Sequence, residues 1–233
     1  MLPVFLNIRV RKAPDAAGRG RAASPQQRYA RRVTEVRWPD YYAVTVGRPA
    51  WGTTVDAAER FAAEDGPGAP PRLAVDLGCG AGRDARELLK RGWRVLAVDR
   101  EPSAIEALRA ATPEPDRGRL EAVQSDLASF EVPPCDLVVA SVSLQFLAED
   151  DYTALMRRVS AALRPGGRFA GLLYGDRDES AGEPGVTCPS PDAIRDHLAD
   201  YEIEAWFERE EDGKMALGDP HHVHLIEVVA RRR

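Results

Sequence analysis

Residues 72–92, "RLAVDLGCGAGRDARELLKRG", constrain the chain more than any other stretch. An apolar strand-like run ends in an acid, passes through three glycines spaced by single residues, and enters an amphipathic helix closed by Gly92. A strand that feeds a helix this way must find parallel neighbours, because a tight hairpin has been given up. The rest of the chain repeats the alternation. Strand patterns fall at 93–99, 120–126, 135–143 and 168–176, with helical patterns at 102–111, 150–164 and 190–199. "CDLVVASVS" is apolar almost throughout, as expected of a central strand covered on both faces. "PGG" at 165–167 reads as the turn between the 150–164 helix and the fifth strand. Two last strands, 201–210 and 221–232, are expected as an antiparallel pair at one sheet edge. The expected fold is a doubly wound, Rossmann-like α/β domain with seven strands, mostly parallel, the last one antiparallel.

Ahead of this domain, "WPDYYAVTVGRPAW" (38–51) clusters aromatics, and 53–64 has helical spacing with Val55, Ala58 and Phe61 on one face. Residues 1–37 hold nine basic residues against Asp15 and Glu35, so this head carries +7 within a chain of net charge -5, and the remainder carries -12. An acidic body argues against nucleic acid as the main substrate. The head, 1–35, has no apolar periodicity and reads as a disordered basic extension, with a nucleic-acid arm or an organellar transit peptide as alternatives. The domain proper is 36–233. No apolar run is long enough for a membrane span, and Pro3, Asn7 and Arg9 interrupt the apolar start, which argues against a secretory signal. Cys79, Cys135 and Cys188 cannot all pair and share no metal-ligand spacing, which suits a reducing cytoplasm.

The glycine turn predicts a ligand site. Gly78, Gly80 and Gly82 let the backbone bend and approach a ligand, and the amides at a helix start favour electron-rich groups. A dinucleotide fingerprint needs its third glycine three places after the second, and Arg83 stands there instead. The arrangement "DLGCGAG", with Asp76 two places before the first glycine, resembles the first motif of class I S-adenosylmethionine-dependent methyltransferases. Asp99 at the end of "VLAVD" matches the acid that takes the ribose hydroxyls, and Asp126 with Leu127 in "SDL" matches the adenine contacts. "LRPGGRF" matches that family's turn before strand five. "SVSLQFL" and "HHVHLIEVVARRR" are similar to the tellurite-resistance subgroup and its small-molecule relatives, although no substrate residue of that subgroup is matched.

The resemblance implies S-adenosyl-L-methionine as cofactor and methyl transfer to a small soluble acceptor, by a monomer or homodimer. It implies cofactor contacts from Asp76, Gly78, Cys79, Gly80, Gly82, Arg83, Asp99, Arg100, Asp126, Leu127 and Ser141. Arg48 and Arg83 are candidates for the methionine carboxylate through bidentate pairing. Tyr42, with Tyr41, is expected to close over the sulfur. His222 and His224 share a strand face and are candidates for a general base, an anion contact, or an edge cap. Asp219 would be a weak third ligand if the two histidines held a metal, and no metal is expected. Cys79 is expected to be a small filler and not a nucleophile. The rival classes are a nicotinamide-dinucleotide oxidoreductase and a non-methylating binder of the same cofactor.

Overall fold

Alternate residues of each central strand are apolar on both faces, and in the computed structural model each set meets its own layer of helices. The structure describes residues 38–66, 68–214 and 220–233. Elements run α1 (Trp38–Thr45), α2 (Gly52–Glu64), β1 (Leu73–Leu77), α3 (Arg83–Lys90), β2 (Arg94–Asp99), α4 (Pro102–Ala111), α5 (Glu114–Arg117), β3 (Leu120–Gln124) and β4 (Cys135–Ser141). A short 3-10 turn (Leu144–Phe146), α6 (Glu149–Ala162), β5 (Leu163–Tyr174), α7 (Pro191–His197), β6 (Tyr201–Lys214) and β7 (Pro220–Arg232) complete the chain.

The seven strands lie in the order β3-β2-β1-β4-β5-β7-β6. β1 to β5 pair in parallel, and β7 inserts antiparallel between β5 and β6. In β4, Leu137 and Val139 pack with Phe61 of α2, Leu88 of α3 and Leu108 of α4. Val138 and Ala140 pack on the opposite face with Leu155 and Val159 of α6 and Ile194 of α7. That two-sided burial is why the run is apolar at every step, and each fully buried leucine there contributes about 2 kcal/mol.

Two features differ from the sequence expectation. "RPGG" does not end α6 in a separate turn. It forms an irregularity inside a long β5, whose pairing with β4 slips between Cys135↔Leu163 and Leu137↔Arg168. The aromatic cluster at 38–45 is helical, and it packs on the glycine turn through Tyr42 and Ala81. The basic head 1–35 and Asp219 lie outside the described residues.

Charge at the far end of the sheet is satisfied by pairing. Arg168, whose side chain is 1% exposed, meets Glu204 at 2.7 Å and Glu64 at 3.0 Å, and its guanidinium stacks on Phe61. The cavity lies at the other end, where the parallel strands terminate.

Candidate functional site

β1 ends at Leu77 and the chain turns at once through residues 78–82 into α3. Gly78 has φ +73°, and a Cβ there would stand 2.3 Å from Ser143 Cβ. Gly82 has φ +77°, and a Cβ would meet Leu108 Cδ1 at 2.2 Å. Both positions therefore need glycine on two counts: the left-handed backbone, and the close approach of β4's end and of α4. Ser143 Oγ donates to Leu77 O at 2.6 Å, tying the ends of β4 and β1 together.

The turn's amides are already employed. Gly78 N and Cys79 N donate to Val98 O at 2.8 and 3.0 Å, Gly80 N to Asp99 Oδ2 at 2.8 Å, and Gly82 N to Cys79 O at 2.9 Å. These four amides serve the fold and are not free for a ligand. The glycines' main work is to let two strand ends and a helix close on each other.

Around this turn is a cavity of about 250 Å³. It brings together twelve of the predicted residues: Asp76, Gly78, Cys79, Gly80, Arg83, Asp99, Arg100, Asp126, Leu127, Ser141, Tyr41 and Tyr42. Asp99 and Asp126, from the ends of β2 and β3, thus open on the same space as the first turn. Gly82 stands behind the wall, against α4. Arg48 is not among the lining residues. Its charge is felt by the lining residue Tyr41, and its backbone N–H donates to Thr45 O at 3.0 Å. Arg83 lines the cavity, yet the Nε–Nη2 edge of its guanidinium is taken. Nε donates to Pro49 O at 2.7 Å, Nη2 donates to the same oxygen, and the group lies 4.0 Å from the centre of the Trp51 ring. What Arg83 keeps for a carboxylate is the Nη1–Nη2 edge of its guanidinium, and Arg48 adds nothing from the cavity lining.

Three buried carboxylates face the turn. Asp99 Oδ1 and Oδ2 each accept one backbone N–H, from Glu101 at 2.9 Å and Gly80 at 2.8 Å. One lone pair remains on each oxygen, which suits two ligand hydroxyls. Asp76 Oδ2 accepts from Ala85 N at 3.1 Å, and Asp84 Oδ1 from Trp51 N at 2.8 Å. None of the three is ion-paired among the described residues. Burial pushes the pKa of each upward; Asp84 and then Asp99 push Asp76 further the same way. Burial, with Asp76 and Asp99, also pushes the Cys79 thiol upward, so it stays protonated.

Aromatics close the other side. Tyr42 is 5% exposed, and its ring stacks on Trp38 at 5.9 Å; Trp38 also meets Tyr41 at 6.0 Å and Phe146 at 5.8 Å, edge to face. Burial raises the Tyr42 pKa, and Asp99 and Glu101 raise it further, so its hydroxyl can donate but is no base at neutral pH. Val142, a β-branched residue, takes φ +54° at the cavity wall just after β4. Strain of this kind costs on the order of 1–3 kcal/mol and concentrates at functional sites.

The histidine expectation is corrected. His222 and His224 do share a face of β7, but neither lines the cavity. His222 is exposed between Asp212 (Nδ1···Oδ1 2.7 Å) and Glu210 (Nε2···Oε1 3.2 Å). His224 is fully buried beneath the chain that follows β5; Nδ1 accepts from Arg177 N at 3.1 Å, so the Nε2 proton points to Glu208 at 3.0 Å. The histidine on the other face is His221, buried against Asp178 at 2.9 Å and beside Tyr174. Sequence reasoning also missed Asp84, Trp38, Trp51 and Phe146. Asp84 had a signal, an acid in the first turn of the helix that the glycines open. The aromatics had none beyond their clustering.

Residues 74–167 match a family model described as a methyltransferase domain. The curated relatives include carboxy-S-adenosyl-L-methionine synthases from Vibrio campbellii, 32% identical over 151 residues, and Vibrio atlanticus, 31% identical over 168. These matches cover 58% and 65% of this chain, and the chain spans 56% and 63% of those relatives. Among solved structures, TehB from Haemophilus influenzae aligns with a TM-score of 0.66 at 18% identity, covering 85% of this chain and 68% of TehB. The 1,6-didemethyltoxoflavin-N1-methyltransferase of Burkholderia thailandensis, solved with S-adenosylhomocysteine, aligns at 0.61 and 20% identity over 96% and 99% of the two chains. Sheet order and the matched domain agree: residues 74–167 are similar to a methyltransferase domain, and the fold is the one these S-adenosylmethionine-dependent methyltransferases share.

Proposed function

We propose that the protein binds S-adenosyl-L-methionine in the cavity beside the glycine turn and transfers its methyl group to a small soluble acceptor. The observation that carries this reading is the convergence of the 78–82 turn, Asp99 and Asp126 on one cavity. Asp99 would take the ribose hydroxyls with its two remaining lone pairs. Asp126, whose Oδ1 already accepts Ala128 N at 2.9 Å, and the Leu127 amide would meet the adenine edge. Buried Asp76, with Asp84 behind it, would offer negative charge to the methionine ammonium. When bound, the cofactor supplies a methyl group on an electron-poor sulfonium. The chain's own part is to orient both reactants and exclude water, which Tyr42, Trp38 and Phe146 do by walling the cavity. Such a displacement needs no strong base, consistent with the histidines' distance from the site.

The protein would act in the cytoplasm as a monomer or homodimer, with neither nucleic acid nor membrane as partner. No helix among the described residues is long and apolar enough to cross a membrane. A second reading comes from the relatives named for carboxy-S-adenosyl-L-methionine synthesis: the chain would modify the cofactor itself. A thermal-shift comparison tests the cofactor. S-adenosylhomocysteine at saturating concentration should raise the melting temperature and NAD should not; stabilisation by NAD alone would overturn the proposal in favour of an oxidoreductase. Mass spectrometry of the cofactor after incubation with a metabolite extract then separates the two readings, since methyl transfer leaves S-adenosylhomocysteine and the synthase reading leaves a carboxylated cofactor.

A further inference from the structure

The cavity's charge narrows what the second reactant can be. Its wall carries the carboxylates of Asp76, Asp84, Asp99, Glu101, Asp126 and Asp151. Against these six stand the guanidinium groups of Arg83 and Arg100 alone among the described lining residues. Arg83 is committed to the Pro49 carbonyl and the Trp51 face, and Arg100 lies 3.7 Å from Glu101. S-adenosylmethionine brings one net positive charge, from a sulfonium, an ammonium and a carboxylate. Burial pushes Asp76, Asp84 and Asp99 toward the neutral form, yet the acids still outnumber the guanidinium groups, and the described lining offers an incoming anion no cation that is not already engaged.

Much of the remaining wall is aromatic. Trp38, Tyr41, Tyr42 and Phe146 present ring faces and edges within about 6 Å of one another. Ring faces prefer stacked or edge-on aromatic partners.

We propose that the methyl acceptor is a planar heteroaromatic molecule, neutral or cationic, and not an oxyanion or a carboxylate-bearing compound. This rests on the methyl-transfer reading above. It runs against the oxyanion chemistry that the tellurite-resistance resemblance suggests.

The test is isothermal titration of the full chain, first with S-adenosylhomocysteine and then, on the saturated protein, with quinoline, quinoline-4-carboxylate and tellurite. Quinoline should bind at least about tenfold more tightly than its carboxylate, equivalent to about 1.4 kcal/mol, and tellurite should give no saturable heat. Added salt should narrow the gap between the two quinolines, because it screens repulsion and leaves stacking in place. Tighter binding of tellurite or of the carboxylate, failure of quinoline to bind, or a gap that salt does not move would each overturn the proposal. Failure of S-adenosylhomocysteine to bind would instead overturn the cofactor reading on which it rests.

Discussion

The rim of β1–β4 and the β6–β7 hairpin are both crowded with acids, and they treat them in opposite ways. On the hairpin, Glu208 and Glu210 pair with Arg177, the latter contact at 2.6 Å, and His222 and His224 fill the gaps between strands. At the rim, Asp76, Asp84 and Asp99 are buried, accept one backbone amide each or, for Asp99, two, and lack ion pairs among the described residues. Paired acids need no further partner. Buried acids held only by amides keep unspent lone pairs and charge, which is what a polar, cationic ligand requires. The histidines that the sequence offered as candidates for a base belong to the satisfied region.

Three substitutions would break or sharpen that contrast. The largest effect is expected for Asp99→Ala. Two ligand hydroxyls would lose their acceptor, and S-adenosylhomocysteine affinity should fall about 100-fold or more by titration calorimetry. An affinity within threefold of wild type would remove Asp99 from the site.

A moderate effect of opposite sign is expected for Asp76→Asn. Asp76 is 2% exposed and its pKa is raised by burial and by Asp84, so ionisation destabilises the folded state as pH rises through that raised value. The neutral amide can still accept Ala85 N–H. The variant should melt about 2–4 °C higher than wild type at neutral pH while binding the cofactor more weakly, a trade of function for stability. A lower melting temperature at every pH would show that the carboxylate is structural.

The smallest effect belongs to His222→Ala. Hydrogen bonds to Asp212, then Glu210, raise the pKa of His222. Its contribution is therefore fully present below the unfolded value of about 6.5 and is lost as pH rises through the higher folded value. The variant should melt lower than wild type in acid, match it in alkali, and methylate at the wild-type rate. A loss of turnover with unchanged cofactor affinity would return the hairpin to the active site.

The glycine spacing, the strand-end acids at 76, 99 and 126 and the alternation of strand and helix were all legible in the chain, because each is a local requirement. A left-handed turn needs glycine, a two-faced strand needs continuous apolar residues, and open α/β sheets gather ligands where strands end. The tertiary structure alone decided which acids stay unpaired, that Arg83 is locked on Pro49 while Arg48 stays outside, and that β7 turns His222 and His224 away from the cavity. Those outcomes depend on contacts between segments 30 to 50 residues apart, such as Pro49 with Arg83 and Arg177 with His224. Pattern along a chain reports which face a residue takes within its own element. It carries no record of which distant group will already be waiting there.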